Sequence, residues 1–414
     1  MPDRERRVPD QLVRVSEAEI DIDSIAAGGD GVGRMDGLVA FVPRTAPGDR
    51  ARIRYASGRR FARGEVLRLL RESPTRTAPS CPHYLVDRCG GCQIQHLSYA
   101  SQLGAKSHII RDAFARIGHR DIALPEVVPS PAEWRYRSKL TLAMRRRDGS
   151  WIAGLHPYDD PSVVFPLTDC PITAESVLAM WRRILAFSSL LPRADELRGS
   201  VRDDAFTLEG GSKWDHAAEF FASLPELSEL WWAPDDAPLR LLHTRTSDAL
   251  GPSFAQVNAG LASTLHAYVV DRAWVYEPSR VIDAYSGRGA TALALAERGA
   301  HVTAIESDRA AESWVAERLP TGSRSIAGRV EDALSDALPA DVAILNPPRA
   351  GVDATVTEIL AGPEGPRAIV YVSCDPATLA RDVARLAPYS IASVRAFDMF
   401  PQTAHVETVC ELTR

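Results

Sequence analysis

Three apolar segments of this chain end at residues that can do chemistry. Residues 368–372 read as a buried strand and place Cys374 at its carboxyl end, the edge where an open parallel sheet binds ligands. A second strand runs into the glycine-rich turn 283–289, and a third, 343–345, ends at Asn346. The pattern predicts a nucleotide-type cofactor in a Rossmann-like sheet, with a thiol beside it.

The glycine-rich turn indicates which kind of cofactor is bound. Gly287 and Gly289 follow a strand and precede an alanine-rich helix, but the third glycine of dinucleotide-binding turns is missing. S-adenosylmethionine has no phosphate and therefore fits this turn better than NAD. Glu306 lies about 20 residues further on, where an acid can hold ribose hydroxyls. Asp332, with Glu331, could border the adenine or simply face solvent.

A second group of thiols lies far from Cys374 in the sequence. Cys81, Cys89, Cys92 and Cys170 supply four soft ligands, and the pair of glycines between Cys89 and Cys92 frees the backbone to wrap a metal. A large chain without a signal peptide is expected to keep its thiols reduced. The spacing alone fits either zinc or an iron–sulfur cluster.

The elements that must position these groups divide the chain into three parts. About five short strands separated by glycine turns lie between residues 17 and 70, which predicts a small OB-like β-barrel within a domain of residues 1–72. A central α+β domain, 73–250, carries the cysteines and a helix from about Tyr99 to Ile117. From about residue 253 strands and helices alternate, which predicts an α/β, Rossmann-like domain of residues 251–414.

Charge and composition narrow the class of protein. The chain has 414 residues, 45% hydrophobic and 25% charged, with a net charge of −6, so nucleic-acid binding must come from local arginine clusters. One cluster falls on the predicted barrel and another on residues 135–147. No apolar run of about 18 residues is present, so we expect a cytoplasmic protein without membrane contact. The barrel arginines are Arg50, Arg52, Arg54, Arg59, Arg60, Arg63 and Arg68.

Several motifs occur in the order in which one enzyme family carries them. They are residues 81–96 with the three clustered cysteines, 253–258 (Ser-Phe-Ala-Gln-Val-Asn), 346–351 (Asn-Pro-Pro-Arg-Ala-Gly), 373–376 (Ser-Cys-Asp-Pro) and 405–408 (His-Val-Glu-Thr). Together they resemble the RNA uracil-C5 methyltransferases, specifically the members with an N-terminal TRAM domain and a [4Fe-4S] cluster. The resemblance covers nearly the whole chain.

The resemblance implies a role for each matching residue. Cys374 would add to C6 of uracil and so make C5 nucleophilic, and Glu407 would remove the C5 proton after methyl transfer. Gln256 and Tyr285 would lie next to the methyl donor, S-adenosylmethionine. The four cysteines would hold a [4Fe-4S] cluster. The substrate would be RNA, 23S ribosomal RNA ahead of transfer RNA, and no obligate protein partner is implied.

Asn346 departs from the family pattern, which usually has aspartate there. A carboxylate only accepts hydrogen bonds, whereas an amide both donates and accepts, so the polar match to base and donor changes. Two other functions are compatible with parts of the sequence. Asn-Pro-Pro is similar to the loop of exocyclic-amine methyltransferases, although Arg349 stands where an aromatic residue would stack on the base. The basic segments alone would suit a non-catalytic RNA-binding factor.

Overall fold

The computed structural model describes residues 15–246 and 256–414 of the chain. Ser253 and Phe254, which belong to one of the motifs above, lie outside the described residues. Three groups of strands organise the described part: a closed barrel, a seven-stranded sheet and an eight-stranded sheet.

The first group is a five-stranded barrel, which confirms the barrel predicted from residues 17–70. Its strands alternate exposed polar and buried apolar residues, as in Arg50–Ser57, where Ala51 and Ile53 face the core. Closure in the order β1-β2-β3-β5-β4 leaves no free strand edge in the barrel. The strands are β1 (Val15–Ile25), β2 (Gly31–Met35), β3 (Leu38–Val42), β4 (Arg50–Ser57) and β5 (Phe61–Arg71).

The middle of the chain builds a mixed sheet in the order β13-β12-β11-β10-β7-β8-β9. Helices α3 and α4 cover it through an aromatic core that includes Trp181, Phe206 and Phe220. The elements of this region are α1 (Pro82–Leu85), α2 (Tyr99–Arg116), β6 (Val127–Val128), β7 (Lys139–Arg147), β8 (Ser150–Leu155), β9 (Phe165–Pro166), α3 (Glu175–Ala186), a 3-10 turn (Ser188–Leu190), β10 (Glu196–Arg202), β11 (Ala205–Glu209), α4 (Ala217–Ala222), β12 (Glu229–Ala233) and β13 (Arg240–Thr244).

The C-terminal part is a doubly wound sheet in the order β16-β15-β14-β17-β18-β20-β19-β6. Strands β14 to β18 pair in parallel, and β20 runs antiparallel between β18 and β19. The elements are α5 (Ala259–Trp274), β14 (Arg280–Ala284), α6 (Ala290–Glu297), β15 (His301–Glu306), α7 (Arg309–Ala316), β16 (Arg324–Ala327), α8 (Val330–Ala337), β17 (Val342–Leu345), α9 (Ala354–Ala361), β18 (Ala368–Ser373), α10 (Pro376–Arg385), β19 (Ser390–Phe397) and β20 (Glu407–Thr413).

Two elements of the predicted central segment belong structurally to the C-terminal sheet. Strand β6 adds to its edge, with Val127 paired to Ala396. Helix α2, which matches the helix predicted from Tyr99, buries Ile110 and Phe114 in the core of the C-terminal sheet. The central and C-terminal parts are therefore interleaved along the chain, unlike the simple division at residue 250. Among the described helices, none is long and apolar enough to cross a membrane.

Candidate active site

The switch point of the C-terminal sheet lies between β14 and β17, because the chain leaves β14 toward β15 and later returns on the other side as β17. The glycine-rich turn follows β14 and Asn346 follows β17, so both reach this crevice. Cys374 follows β18, the next strand along. The structure thus brings the three sequence-predicted segments to one edge of the sheet.

Backbone conformation explains the glycine turn. Tyr285, Gly287 and Gly289 all have positive φ, between +53° and +65°. A Cβ on Gly289 would lie 2.7 Å from the Val315 side chain, so only glycine fits where α6 begins. A Cβ on Gly287 would meet nothing within 4 Å, so the turn leaves open space there. Glu306 stabilises the turn by accepting a hydrogen bond of 2.8 Å from the Gly287 N–H.

Asp283 begins the same turn, and the motifs in the sequence assign it no separate role. Its side chain is buried, and burial raises its pKa to about 7, with the charge of Glu306 adding to the rise. One carboxyl oxygen, Oδ2, has no hydrogen-bond partner among the described residues. An unpartnered buried acceptor beneath a ligand turn costs stability, which is typical of a group held for binding.

The other predicted cofactor residues differ in their exposure and contacts. Tyr285 is half-buried, and burial raises its pKa, with a further rise from the charge of Glu331. The predicted Asp332 is exposed in the first turn of α8, so Glu331 is the acid that interacts with Tyr285. The Asn346 N–H donates to the Ala284 carbonyl at 3.3 Å, and its side chain is exposed. Gln256 precedes α5 and is half-buried.

Strand register brings the predicted nucleophile and base together. Ser373 of β18 pairs with Thr408 of β20 in the antiparallel ladder. Continued by one step, this register would set Cys374 opposite Glu407, where side chains can meet across the strands. The charge of Glu407 also raises the pKa of the Cys374 thiol, as expected for two groups that lie near each other. The arrangement depends on β20 being antiparallel, because its first residue then lies at the carboxyl edge of the parallel strands.

Burial dominates the electrostatics of this pair. Glu407 is only 4% exposed, and burial raises its pKa to about 7, against the lowering effect of the Arg349 charge. Burial also raises the pKa of the half-buried Cys374 thiol, and the Glu407 charge raises it further. Arg349 lowers that pKa through its charge and a side-chain hydrogen bond. A carboxyl with a pKa near neutrality is suited to take and release a proton.

Arg349 therefore acts on both the predicted nucleophile and the predicted base. The segment that carries it is tied to α10: Thr378 Oγ1 donates to the Arg349 carbonyl at 3.2 Å, and Arg381 donates to the Ala350 carbonyl at 2.8 Å. Asp382 accepts from the Val352 N–H at 3.1 Å. The signal in the sequence is the arginine itself, four residues after the end of β17 at the switch point.

The four clustered cysteines lie together away from this crevice. Cys81, Cys89, Cys92 and Cys170 line one cavity of about 150 Å³, and all four are free thiols. The backbone of the turn is fixed by hydrogen bonds, among them Gly90 N–H to the His156 carbonyl at 2.9 Å. No group of three or more His, Cys, Asp or Glu in the described ranges is arranged to hold a single metal ion.

The barrel arginines form a less basic surface than the sequence predicted. Glu17, Glu19 and Asp21 of β1 lie beside β4 and pair with some of them: Arg50 with Glu19 at 3.0 Å and Arg52 with Glu17 at 3.0 Å. Other arginines are exposed in the β4–β5 turn, Arg59 and Arg60, and on β5, where Arg68 lies opposite Arg52. A stretch of exposed arginines suits contacts with phosphates.

Comparison with known proteins follows this division of the chain. A family model described as TRAM domain matches residues 11–67. A second model, tRNA (Uracil-5-)-methyltransferase, matches residues 321–414, which include Cys374 and Glu407. The two matches cover the barrel and the half of the C-terminal sheet that carries the thiol and the carboxylate.

Curated relatives extend over nearly the whole chain. A 23S rRNA (uracil(1939)-C(5))-methyltransferase, RlmD, from Dichelobacter nodosus is 33% identical over 417 residues, 93% of this chain and 96% of the relative. An uncharacterized RNA methyltransferase from Thermosynechococcus vestitus is 32% identical over 95% of this chain and 97% of the relative. These are RNA methyltransferases, and the chain belongs to the RNA (uracil-5-)-methyltransferase family.

A solved structure supports the fold. The tRNA (uracil-54, C5)-methyltransferase of Pyrococcus abyssi, in complex with S-adenosyl-L-homocysteine, superposes with a TM-score of 0.69, covers 95% of this chain and 99% of its own, and is 24% identical. At this identity the likeness establishes a shared fold over nearly the whole chain.

Arg349 should control the reactivity of the Cys374 thiol. In Arg349→Met, loss of the nearby positive charge and hydrogen bond raises the pKa of Cys374, so less thiolate is present at neutral pH. We expect alkylation of Cys374 by iodoacetamide to slow severalfold at pH 7.5, measured by mass spectrometry of its peptide. Arg367→Met, an exposed arginine of the same sheet, serves as control. Unchanged alkylation in Arg349→Met would contradict the assignment.

Ionisation of Glu407 should lower the free energy of unfolding of the protein. Its folded pKa of about 7 exceeds the ordinary value of 4.5, so the folded protein loses stability as the pH rises through this window. The loss is about 3 kcal/mol above pH 7. Glu407→Gln removes it, and we expect the urea midpoint of the variant to rise relative to wild type between pH 5 and pH 8.

Glu411 on the same strand is the matched control, with the opposite sign. Burial opposes ionisation of Glu411, but hydrogen bonds from Arg272, Tyr276 and Ser393 outweigh it and lower its pKa. Glu411→Gln should therefore lose stability relative to wild type as the pH rises through the ordinary range for glutamate. Parallel pH profiles for the two variants would argue against a strained Glu407.

Proposed function

We propose that this protein methylates C5 of uracil in RNA, with S-adenosylmethionine as methyl donor and 23S ribosomal RNA as substrate. The observation that carries the proposal is the β18–β20 register, which pairs Ser373 with Thr408 and whose next pair would be Cys374 and Glu407. Uracil-C5 chemistry requires this combination, since it needs both a nucleophile for C6 and a base for the C5 proton.

The residues around the glycine turn fit S-adenosylmethionine. Open space lies over Gly287, and the unpartnered buried oxygen of Asp283 lies beneath the turn. Glu306 would hold the ribose hydroxyls, and Tyr285, Gln256 and Asn346 would border the donor. Asp332 is exposed in the first turn of α8 and would border the adenine on its solvent-facing side. The bound donor supplies the methyl group that C5 receives.

The protein residues act before and after that transfer. The Cys374 thiolate adds to C6, and the electron pair of the C5–C6 double bond moves toward O4 to make C5 nucleophilic. Arg349, hydrogen-bonded to the thiol, favours the thiolate. After transfer, the Glu407 carboxylate removes the C5 proton, the C5–C6 double bond re-forms, and the C6–S bond breaks to release Cys374. A base must leave its stack for this reaction, so the target lies in a loop or an opened helix.

The four cysteines would hold a [4Fe-4S] cluster. They line one cavity as free thiols, and four cysteine thiolates are the usual ligands of such a cluster. The resemblance to the cluster-bearing members of the family favours iron and sulfide over zinc. Methyl transfer moves no net electrons, so the cluster would cross-link Cys81, Cys89, Cys92 and Cys170 and stabilise the central part of the chain.

The 23S substrate is supported by the relatives rather than by geometry. The Dichelobacter relative is named for a uracil of 23S rRNA, whereas the Pyrococcus structure is named for a uracil of tRNA. The first shares more sequence with this chain, 33% against 24%. The barrel, with exposed Arg59, Arg60 and Arg68, would bind the RNA backbone.

Trapping a covalent protein–RNA adduct tests the proposal. With S-adenosylmethionine and RNA containing 5-fluorouridine, we expect an adduct that survives denaturing electrophoresis, because fluorine at C5 cannot leave as a proton does. The adduct should form with 23S fragments rather than tRNA, vanish in Cys374→Ala and persist in Cys410→Ala. Methylation of ordinary RNA without any adduct would instead indicate exocyclic-amine chemistry. RNA binding with neither signal would indicate a non-catalytic factor.

Iron content tests the role of the four cysteines. Protein purified without oxygen should contain about four iron and four sulfide per chain and absorb visible light. Cys92→Ser should lose the iron, unfold more readily and bind RNA more weakly, whereas Cys410→Ala, a buried cysteine outside the cavity, should keep the iron. Bound zinc in place of iron, or wild-type stability and RNA affinity in a cluster-free preparation, would contradict the structural role.

A further inference from the structure

The segment that leads to Glu407, residues 398–406, is a buried loop between two strands. It joins the end of β19 at Phe397 to the start of β20 at Glu407. All its residues are buried except Phe400, which is half-buried, and His405, which is exposed. A buried loop has no water to satisfy its backbone N–H and C=O groups, so these groups need partners from the protein.

Those partners come from parts of the chain that precede the catalytic sheet. Lys106 donates to the Phe400 carbonyl at 3.0 Å, and Tyr136 donates to the Pro401 carbonyl at 3.0 Å. The Gln402 N–H donates to the Gln102 side chain at 2.9 Å, and Gln102 Nε2 donates back to the Gln402 side chain at 2.9 Å. Helix α2 therefore holds the loop through two successive turns, at Gln102 and Lys106.

The loop is also fixed by a buried ion pair. Lys106 and Asp398 are both 0% exposed and hydrogen-bonded to each other. Burial lowers the pKa of Lys106 and the Asp398 charge raises it. Removing two charges from water costs several kcal/mol each, and only close, well-oriented contact offsets that cost. The pair consequently tolerates little displacement of the loop relative to α2.

The other end of this network lies in the cysteine turn. Gln93 directly follows Cys92, and its side chain donates to the Gly90 carbonyl at 2.9 Å and accepts from the Ala404 N–H at 3.3 Å. The Ile94 N–H donates to the Gln402 carbonyl at 3.2 Å. One glutamine side chain thus joins the turn that carries Cys89 and Cys92 to a residue three positions before Glu407.

We infer that Gln93, Gln102 and Lys106 are positioning residues for Glu407: they hold the 398–406 loop so that the carboxylate meets the C5 proton. The inference rests on the proposed function, since it assigns these residues to the proton-removal step. Cys374 lies between the end of β18 and the start of α10, and none of the hydrogen bonds of this network involves it, so thiol addition should not depend on the network. The network serves the second half of the reaction and leaves the first half intact.

A variant that misplaces Glu407 should therefore stall after methyl transfer. With ordinary uridine RNA, the wild type releases product and leaves no covalent band. In Gln102→Leu and in the milder Gln93→Ala, we expect a methylated protein–RNA adduct to accumulate and turnover to fall about tenfold, a part of what a general base contributes. Adduct formation with 5-fluorouridine RNA should stay within about twofold of wild type, because it does not require Glu407.

Two controls bracket this result. Glu407→Gln should accumulate the same adduct. Ser107→Ala lies on the same helix but loses only a bond to the Pro125 carbonyl, so it should behave as wild type. If both glutamine variants lost 5-fluorouridine trapping and turnover to the same extent, the network would only support folding, and the inference would be overturned. Unchanged turnover in both variants would also overturn it. Failure of the proposed function is distinguishable, since wild-type protein would then form no 5-fluorouridine adduct.

Discussion

The antiparallel insertion of β20 between β18 and β19 is the constraint on which the site depends. In a wholly parallel sheet, the first residue of a strand lies at the edge opposite to the ligand crevice. Because β20 runs the other way, its first residue, Glu407, reaches the crevice edge beside Cys374, which follows the last residue of β18. Two groups 33 positions apart in the sequence become neighbours through one ladder register. A shift of one residue in that register would turn Glu407 to the other face of the sheet.

Strand β20 carries two buried carboxylates, Glu407 and Glu411, whose pKa values are shifted in opposite directions. Glu411 is neutralised by Arg272, which donates to both of its carboxyl oxygens at 2.7 and 2.9 Å. Glu407, four residues earlier and on the same side of the strand, has a pKa that burial raises to about 7, because the charge of Arg349 offsets only part of the effect of burial. The sheet could accommodate a paired carboxylate at either position, so the weaker compensation at Glu407 is a local cost in stability. Such costs are characteristic of residues kept for chemistry.

Sequence patterns predicted the features that depend on local spacing. Alternating residues in β4 indicated the barrel, the apolar run before Cys374 indicated a buried strand, and α2 was predicted to within a residue or two. The seven-stranded sheet was not predicted beyond its first strands. Its strands after residue 172 are short, and β11 and β12 pair in parallel with α4 between them. The sequence therefore contains neither the hairpin turns nor the long apolar segments from which strands are predicted.

The burial of the loop 398–406 could not be predicted for a different reason. Its partners are distant in sequence: Gln102 and Gln402 are 300 positions apart, and no local pattern encodes such a contact. A loop without secondary structure reads as solvent-exposed from its sequence, yet this loop is buried because side chains of other segments satisfy its backbone. Hydrogen bonds between buried backbone groups and side chains distant in the sequence depend on the complete fold.

These contacts also join all three parts of the chain at one point. Gly29, in the β1–β2 turn of the barrel, packs closely on Gln93. A Cβ atom added to Gly29 would lie 2.4 Å from the Gln93 Cβ and 3.3 Å from the Ala404 Cβ. Arg44 of the barrel donates to the Cys89 carbonyl at 3.0 Å and lies over the ring of Tyr84. Two surfaces joined only by apolar contacts could shift relative to each other. Hydrogen bonds and the close contact at Gly29 instead fix both the distance and the orientation of the barrel relative to the cysteine turn. The barrel, the cysteine turn and the loop before Glu407 therefore hold one relative arrangement, and a shift in any of them must break contacts in the other two.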